Sequence, residues 1–121
     1  MLQNDFFYIK ELNKGEGKLE AKLELNPEHR IFEGHFPGQP VVPGVCMVQM
    51  IKEVLQQALG VSLQLKAADH IKFLSVIDPR RNKDLFAEIT YNTQQDEIAV
   101  VASIQKDDTT SLKLKGSFMI K

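Results

Sequence analysis

The residues best suited to chemistry lie in one short stretch that combines a histidine with glycines and prolines. The order along residues 34–45 is Gly-His-Phe-Pro-Gly-Gln-Pro-Val-Val-Pro-Gly-Val. Proline fixes one backbone angle and glycine permits unusual ones, so we expect a loop of this composition to hold a single shape. Such a loop would keep the imidazole of His35 at a defined place, where it can accept or donate a proton near neutral pH. The stretch therefore predicts a rigid loop that presents a general acid or base.

A helix is expected to begin directly after this loop. Pro43 and Gly44 stand at its start, and proline is well tolerated in a first helical turn. The free N–H groups of that turn can bind developing negative charge. A fixed histidine beside a helix start is a reasonable beginning for an active site.

The helix itself is predicted over Val45 to Leu59, because its apolar residues recur at spacings of three and four. Its first half is apolar nearly all round, which predicts a largely buried helix. Gly60 is a natural stop for it.

The remaining elements are predicted strands. Lys18 to Leu25 alternates strictly between apolar and charged residues, as half-buried strands do. The other predicted strands are Phe6 to Leu12, Leu63 to Val76, Leu85 to Asn92, Glu97 to Gln105 and Leu112 to Ile120. Two strands, one buried helix and then further antiparallel strands predict a single α+β domain over residues 1–121. In that domain an antiparallel sheet wraps around one long central helix.

Composition excludes several classes of function. A net charge of −1 argues against a nucleic-acid binder, and no apolar run is long enough to span a bilayer. The first residues lack the features of a signal peptide, so we expect a cytoplasmic protein. Cys46 is the single cysteine and is predicted to be a small core residue. His29 and His70 are predicted to be structural or surface residues, and the histidine spacing predicts no metal site.

The loop and the order of elements together resemble the hot-dog fold and, within it, the 3-hydroxyacyl-[acyl-carrier-protein] dehydratases of the FabZ type. The family motif is roughly G-H-F-P-G-x-P-x-x-P-G-V, and residues 34–45 match each specified position. The resemblance implies that His35 is the catalytic histidine and that the Gly44 N–H polarises the thioester carbonyl. It further implies that Phe36 and Val45 line the acyl tunnel. No cofactor is predicted.

Position 49 departs from the family pattern. The family's second catalytic group is a carboxylate at that position, where this chain has Gln49. An amide can donate a hydrogen bond to the leaving hydroxyl but cannot give up a proton, and losing a general acid or base typically costs a factor of about 10² to 10⁴. Glu53 lies four residues further along the same helical face and is a possible substitute. The alternatives are that Glu53 has a structural partner, or that His35 performs both proton transfers.

The resemblance also implies partners. Family dehydratases act on acyl groups held by acyl carrier protein, whose acidic surface meets basic residues near the tunnel mouth. Arg80, Arg81 and Lys83 are the candidates here, although such a charged loop is usually only a solvated turn. Hot-dog domains generally pair, so we predict a homodimer in which His35 of one chain faces position 49 of the other.

Three functions remain open from the sequence. The first is dehydration of 3-hydroxyacyl thioesters for fatty-acid or polyene biosynthesis. The second is thioester hydrolysis on the same fold, which needs the same polarised carbonyl. The third is an acyl-thioester binder, or an inactive partner subunit of a competent dehydratase, and Gln49 is the feature that favours it.

Overall fold

A computed structural model describes residues 1–34 and 40–121 of the chain. Eight helices and strands lie within these residues. In chain order they are β1 (Phe7–Lys14), β2 (Lys18–Leu25), α1 (Ile31–Gly34), α2 (Gly44–Leu59), β3 (Leu63–Phe73), β4 (Asp84–Gln94), β5 (Glu97–Lys106) and β6 (Thr109–Ile120).

The strands form one antiparallel sheet with the order β1-β2-β4-β5-β6-β3. In β2 the alternation predicted from the sequence is confirmed, since one face is buried and the charged residues point away from it. The buried residues of this strand are Leu19, Ala21, Leu23 and Leu25. Because side chains alternate across a strand, this burial fixes which face of the sheet covers the core.

Helix α2 packs on that face and supplies the centre of the core. Met50, Ile51, Val54 and Leu55 are fully buried together with residues from every strand of the sheet. The predicted helix is confirmed and begins one residue earlier, at Gly44. A sheet wrapped around one long helix is the hot-dog architecture that the resemblance implies, and the predicted fold class is confirmed.

Strand β3 is shorter than predicted and lies at one edge of the sheet. It ends at Phe73 instead of Val76. The residues that follow still contact β6, since the Leu74 N–H donates to the Ser111 carbonyl at 2.9 Å and the Ser75 and Ser111 hydroxyls are 2.9 Å apart. Apolar side chains along β3 remain exposed, among them Leu65, Ile71 and Phe73. An edge strand with exposed apolar residues favours pairing with another chain.

None of the helices in residues 1–34 and 40–121 has the length and hydrophobicity needed to cross a membrane.

Candidate functional site

The first turn of α2 leaves backbone donors available. Its N-cap is Pro43, which provides no side-chain hydrogen bond. The N–H groups of Cys46 and Met47 donate to the Pro43 carbonyl at 3.0 and 3.2 Å. Neither Gly44 nor Val45 donates its N–H to any residue within the described ranges. Two donors at a helix start, where the helix dipole also favours negative charge, can hold a carbonyl oxygen that becomes negative during a reaction.

Gly44 lies under an aromatic ring. A Cβ atom built on Gly44 would be only 2.7 Å from two ring atoms of Phe73, the last residue of β3. The segment before the helix is fixed as well, since the Val42 N–H donates to the Ile77 carbonyl at 2.9 Å. The absence of a side chain at position 44 therefore lets Phe73 close over the helix start. Sequence reasoning missed this contact, which joins residues far apart in the chain.

Three of the predicted site residues form one stripe along α2. Val45, Gln49 and Glu53 are spaced by four residues and so lie on the same helical face. Val45 is 76% exposed, Gln49 is half-buried, and Glu53 is only 1% exposed. The stripe thus runs from an open helix start into the closed interior.

Glu53 is held by three donors. Its Oε1 accepts the backbone N–H of Gln3 at 2.7 Å, and its Oε2 accepts the backbone N–H of Leu2 at 2.8 Å. The same Oε2 accepts the amide Nε2 of Gln49 at 2.8 Å. Buried carboxylates require such partners, and here all of them are N–H donors. The two residues that the family pattern singles out are therefore in direct contact, and Glu53 also holds the start of the chain.

His35 and Phe36 lie outside the described residues. Of the remaining predicted residues, Gly44, Val45, Gln49 and Glu53 come together on α2. Arg80, Arg81 and Lys83 lie in the loop between β3 and β4.

That loop carries its own counter-charges. Hydrogen bonds from the Arg80 side chain and backbone, together with its charge and that of Arg81, hold the pKa of Asp78 below its usual value. Lys83 lies 3.8 Å from Glu24. Two of the three predicted docking residues are therefore already beside an acidic side chain of this chain.

A second basic surface, which sequence reasoning missed, lies on the outer face of the sheet. Cross-strand pairing brings His70 opposite Lys115 and Lys72 opposite Lys113, around the exposed Val101. These residues line a shallow groove on the face that points away from α2. Alternation on β6 was the available signal, since Lys113 and Lys115 flank the buried Leu114. We call these five residues the outer basic groove.

His29 and Cys46 occupy buried positions. The Nδ1 of His29 accepts the Ile31 N–H at 3.1 Å, so its proton is on Nε2, which lies 3.1 Å from Asp5 Oδ2. The imidazole also packs edge-on against Phe6. These contacts agree with a structural role.

Burial raises the pKa of the Cys46 thiol. No cluster of three or more His, Cys, Asp or Glu residues suited to a metal ion is found in residues 1–34 and 40–121.

Comparison with known sequences gives a consistent result. A profile of the ApeI-like family, described as ApeI dehydratase, matches residues 11–113. The 3-hydroxyacyl-[acyl-carrier-protein] dehydratase FabZ of Lactobacillus helveticus (strain DPC 4571) is 29% identical over 121 residues, which cover 93% of this chain and 79% of that protein. The FabZ of Levilactobacillus brevis is 33% identical over 89 residues, covering 67% of this chain and 59% of that protein.

Solved structures share the fold. The dehydratase heterocomplex ApeI:P from Xenorhabdus doucetiae contains a chain with a TM-score of 0.78 and 21% identity, covering 92% of this chain and 96% of that one. A proposed thioesterase, the phenylacetic acid degradation-related protein of Ralstonia eutropha JMP134, has a TM-score of 0.64 and 14% identity, covering 89% and 82%. At these identities the similarity concerns the fold alone.

The matched family and both FabZ relatives are dehydratases. Dehydratases are hydro-lyases, and the matched profile spans most of the chain, including both the helix start and the Gln49–Glu53 pair. These findings support a hydro-lyase activity. The chain belongs to the ApeI-like dehydratase family.

Proposed function

We propose that this protein removes water from 3-hydroxyacyl thioesters carried on acyl carrier protein, as part of fatty-acid or polyene biosynthesis. The observation that carries the proposal is the start of α2. There the Gly44 N–H has no acceptor among the described residues, and it follows directly on a loop sequence that matches the dehydratase motif. The Gln49 amide lies on the next turn of the same helix.

The chemistry requires two proton transfers. In the proposed mechanism His35 takes a proton from the α carbon, and the Gly44 N–H stabilises the negative charge that develops on the thioester oxygen. The electrons of the broken C–H bond first pass to the thioester oxygen as an enolate, and in a second step they form the double bond as the C–O bond to the 3-hydroxyl breaks. Since Gln49 has no proton to give, His35 returns its proton to the leaving hydroxyl, which departs as water. Gln49 orients that hydroxyl, and Val45 contacts the acyl chain.

One comparison tests this function against its alternatives. The protein and its Gln49→Glu variant are each incubated with 3-hydroxyacyl and saturated acyl thioesters. Enoyl product from the native chain is the expected result. Release of free thiol from either substrate would instead support thioester hydrolysis. Enoyl product only after Gln49→Glu would support the acyl-thioester binder or partner subunit.

A second copy of the chain is the proposed partner along β3. This edge strand exposes Leu65, Ile71 and Phe73, and Phe73 also contacts Gly44. Pairing there would cover the apolar edge and set the second chain beside the candidate site. We expect a dimeric mass in solution and a monomeric mass for Ile71→Glu. A monomeric native protein with full activity would contradict this assignment.

Carrier docking is proposed on basic residues near the site, and two surfaces compete for it. The loop offers Arg80, Arg81 and Lys83, while the outer basic groove offers Lys72, next to the Phe73 that covers Gly44. Charge reversal at Arg80 and Arg81 should weaken turnover of carrier-bound substrate and spare a small pantetheine thioester. Charge reversal at Lys72 and Lys113 is the matched control. If only the reversal at Lys72 and Lys113 weakened turnover of carrier-bound substrate, the docking site would be the outer basic groove. Equal losses of turnover with carrier-bound and small substrates would refute carrier docking on the surface tested.

A further inference from the structure

The contact between Gln49 and Glu53 restricts which part of the glutamine side chain is available for substrate. A carboxylate oxygen only accepts hydrogen bonds, so the group of Gln49 that lies 2.8 Å from Glu53 Oε2 must be the amide NH₂. Rotating the amide by half a turn would place the Gln49 Oε1 against the Glu53 Oε2, and both of these oxygens are acceptors. The Gln49 Oε1 then lies on the other arm of the planar amide and makes no hydrogen bond to a described residue.

We propose that Glu53 is a positioning residue that fixes the Gln49 amide, so that its carbonyl oxygen accepts a hydrogen bond from the 3-hydroxyl of the substrate. This inference rests on the proposed dehydration. It assigns to Gln49 the role of an acceptor, whereas sequence reasoning allowed it only the role of a donor. With its proton directed at Gln49, the hydroxyl oxygen turns a lone pair towards the group that must protonate it, which is His35 in the proposed mechanism.

Burial makes this orientation effective. Glu53 is 1% exposed, and the Leu2 N–H donates to the same Oε2 that accepts the Gln49 amide, so this oxygen has little freedom to turn away. A hydrogen bond to a charged, buried acceptor is stronger than one to a neutral group. Gln49 itself is half-buried, so its amide lies at the boundary between the network and the open helix start.

The same carboxylate also anchors the start of the chain, so a loss of activity on removing it has two possible causes. A matched control separates them. Gln3→Pro deletes the N–H that Oε1 accepts, and also the contact between the side chains of Gln3 and Gln57, but removes neither of the donors to Oε2, which are the Leu2 N–H and the Gln49 amide. We expect Gln3→Pro to lower the unfolding temperature while kcat stays within about twofold of the native value.

A double-mutant cycle carries the decisive measurement. We expect Glu53→Ala to lower kcat about five- to tenfold, the value of one lost hydrogen bond, and Glu53→Gln to retain most of the activity. Gln49→Ala should cost about the same as Glu53→Ala. In the Gln49→Ala background, Glu53→Ala should cause no further loss, because its effect acts through Gln49. A full additional loss in that background would overturn the proposal.

Gln49→Glu provides an independent readout. It places a second carboxylate within hydrogen-bond distance of the first, and two such groups do not readily ionise together. We expect a new ionisation in the pH profile of kcat that is absent from the native enzyme and from Gln49→Ala. An unchanged profile in an active Gln49→Glu enzyme would count against the contact.

A measurement that needs no turnover distinguishes failure of this inference from failure of the proposed function. By NMR, one side-chain amide proton of Gln49 should exchange slowly with solvent in the native protein and in Gln3→Pro, but rapidly in Glu53→Ala. Slow exchange without enoyl product would retain the positioning contact and reject dehydration. Rapid exchange in the native protein would reject the positioning role whatever the activity.

Discussion

The two ends of helix α2 are built in opposite ways. At its last turn, Gly60 adopts a left-handed conformation with φ 68°, and its N–H donates to the Gln56 carbonyl at 2.9 Å. The Gln56 side chain in turn accepts the N–H of Leu63 at 2.8 Å, which joins the helix end to β3. At its first turn no side chain caps the helix, two N–H groups have no acceptor in the described parts of the chain, and Val45 is 76% exposed.

The difference shows where the helix is optimised for stability and where it is not. A serine or aspartate before Gly44 would satisfy one of the open donors and typically stabilise a helix by about 1 kcal/mol. The chain has Pro43 there, and an apolar side chain in solvent two residues later. The first turn of α2 lacks these stabilising features although the last turn has them. The first turn is therefore the end to test for binding and catalysis.

The largest effect is expected from Gly44→Ala at the open end. The new Cβ would lie 2.7 Å from the Phe73 ring, so the ring must move and the space next to the N–H donor changes. Misplacement of reacting groups by about 1 Å can cost a factor of about 10². We expect kcat/KM to fall about 100-fold with a small change in unfolding temperature, because Phe73 is 56% exposed and can shift.

Gly60→Ala is the matched control at the closed end. Nothing lies within 4 Å of a Cβ atom there, so its only cost is the left-handed backbone, about 1 kcal/mol. We expect a lower unfolding temperature and an unchanged kcat/KM. If the two glycine variants lost activity equally, the contrast between the helix ends would have no functional meaning.

A smaller effect is expected from Val45→Ser. Because Val45 is already in solvent, the change should leave the free energy of unfolding nearly unaltered. An acyl chain that covers this side chain would lose about 1 kcal/mol of apolar contact, so KM should rise about fivefold. Val101→Ser, at a valine that is 56% exposed on the outer face of the sheet, is the control, and both variants are assayed with a small pantetheine thioester so that carrier docking does not contribute. Equal KM values for both variants would remove Val45 from the acyl site.

The same elements show how much of the fold could be predicted from the sequence alone. Strand β2 was predictable to the residue, because the alternation from Lys18 to Leu25 leaves one possible buried face. The helix was predictable from its spacing, but its pattern suggested that the first half is buried nearly all round. Val45 contradicts that expectation in the single chain, since periodicity records which side chains are apolar and not which ones another element covers.

The candidate site was predictable only in part. Gln49 and Glu53 could be placed on one helical face from their spacing of four. The partners of Glu53 could not be foreseen, because they include the backbone N–H groups of Leu2 and Gln3, and every residue except proline offers the same donor. The ring of Phe73 over Gly44 joins residues far apart in sequence and leaves no local pattern.

At the closed end, Gln56→Ala should affect stability alone. It removes the acceptor of the Leu63 N–H, a partly buried hydrogen bond worth about 1 kcal/mol. For a chain of this size the unfolding temperature should fall by about 4 °C. Activity should be unchanged, and thermal unfolding with a parallel kinetic assay measures both. A loss of kcat would mean that the closed end also contributes to the site.

The smallest effect on the folded chain concerns Cys46, which directly follows Val45 but faces the core and is 7% exposed. Burial raises the pKa of its thiol, so the folded state favours the protonated form. The resulting stability is fully present below the pKa of the thiol in the unfolded chain and is lost as pH rises through the higher folded value. We therefore expect the free energy of unfolding to decline slightly only at alkaline pH, and the decline to vanish in Cys46→Ala.

Moving the thiol to the open position, in Val45→Cys combined with Cys46→Ala, should give rapid alkylation that an acyl thioester slows. Equal alkylation rates at positions 45 and 46 would mean that neighbouring residues of the first turn do not differ in access, and the distinction between its open and its buried face would be lost.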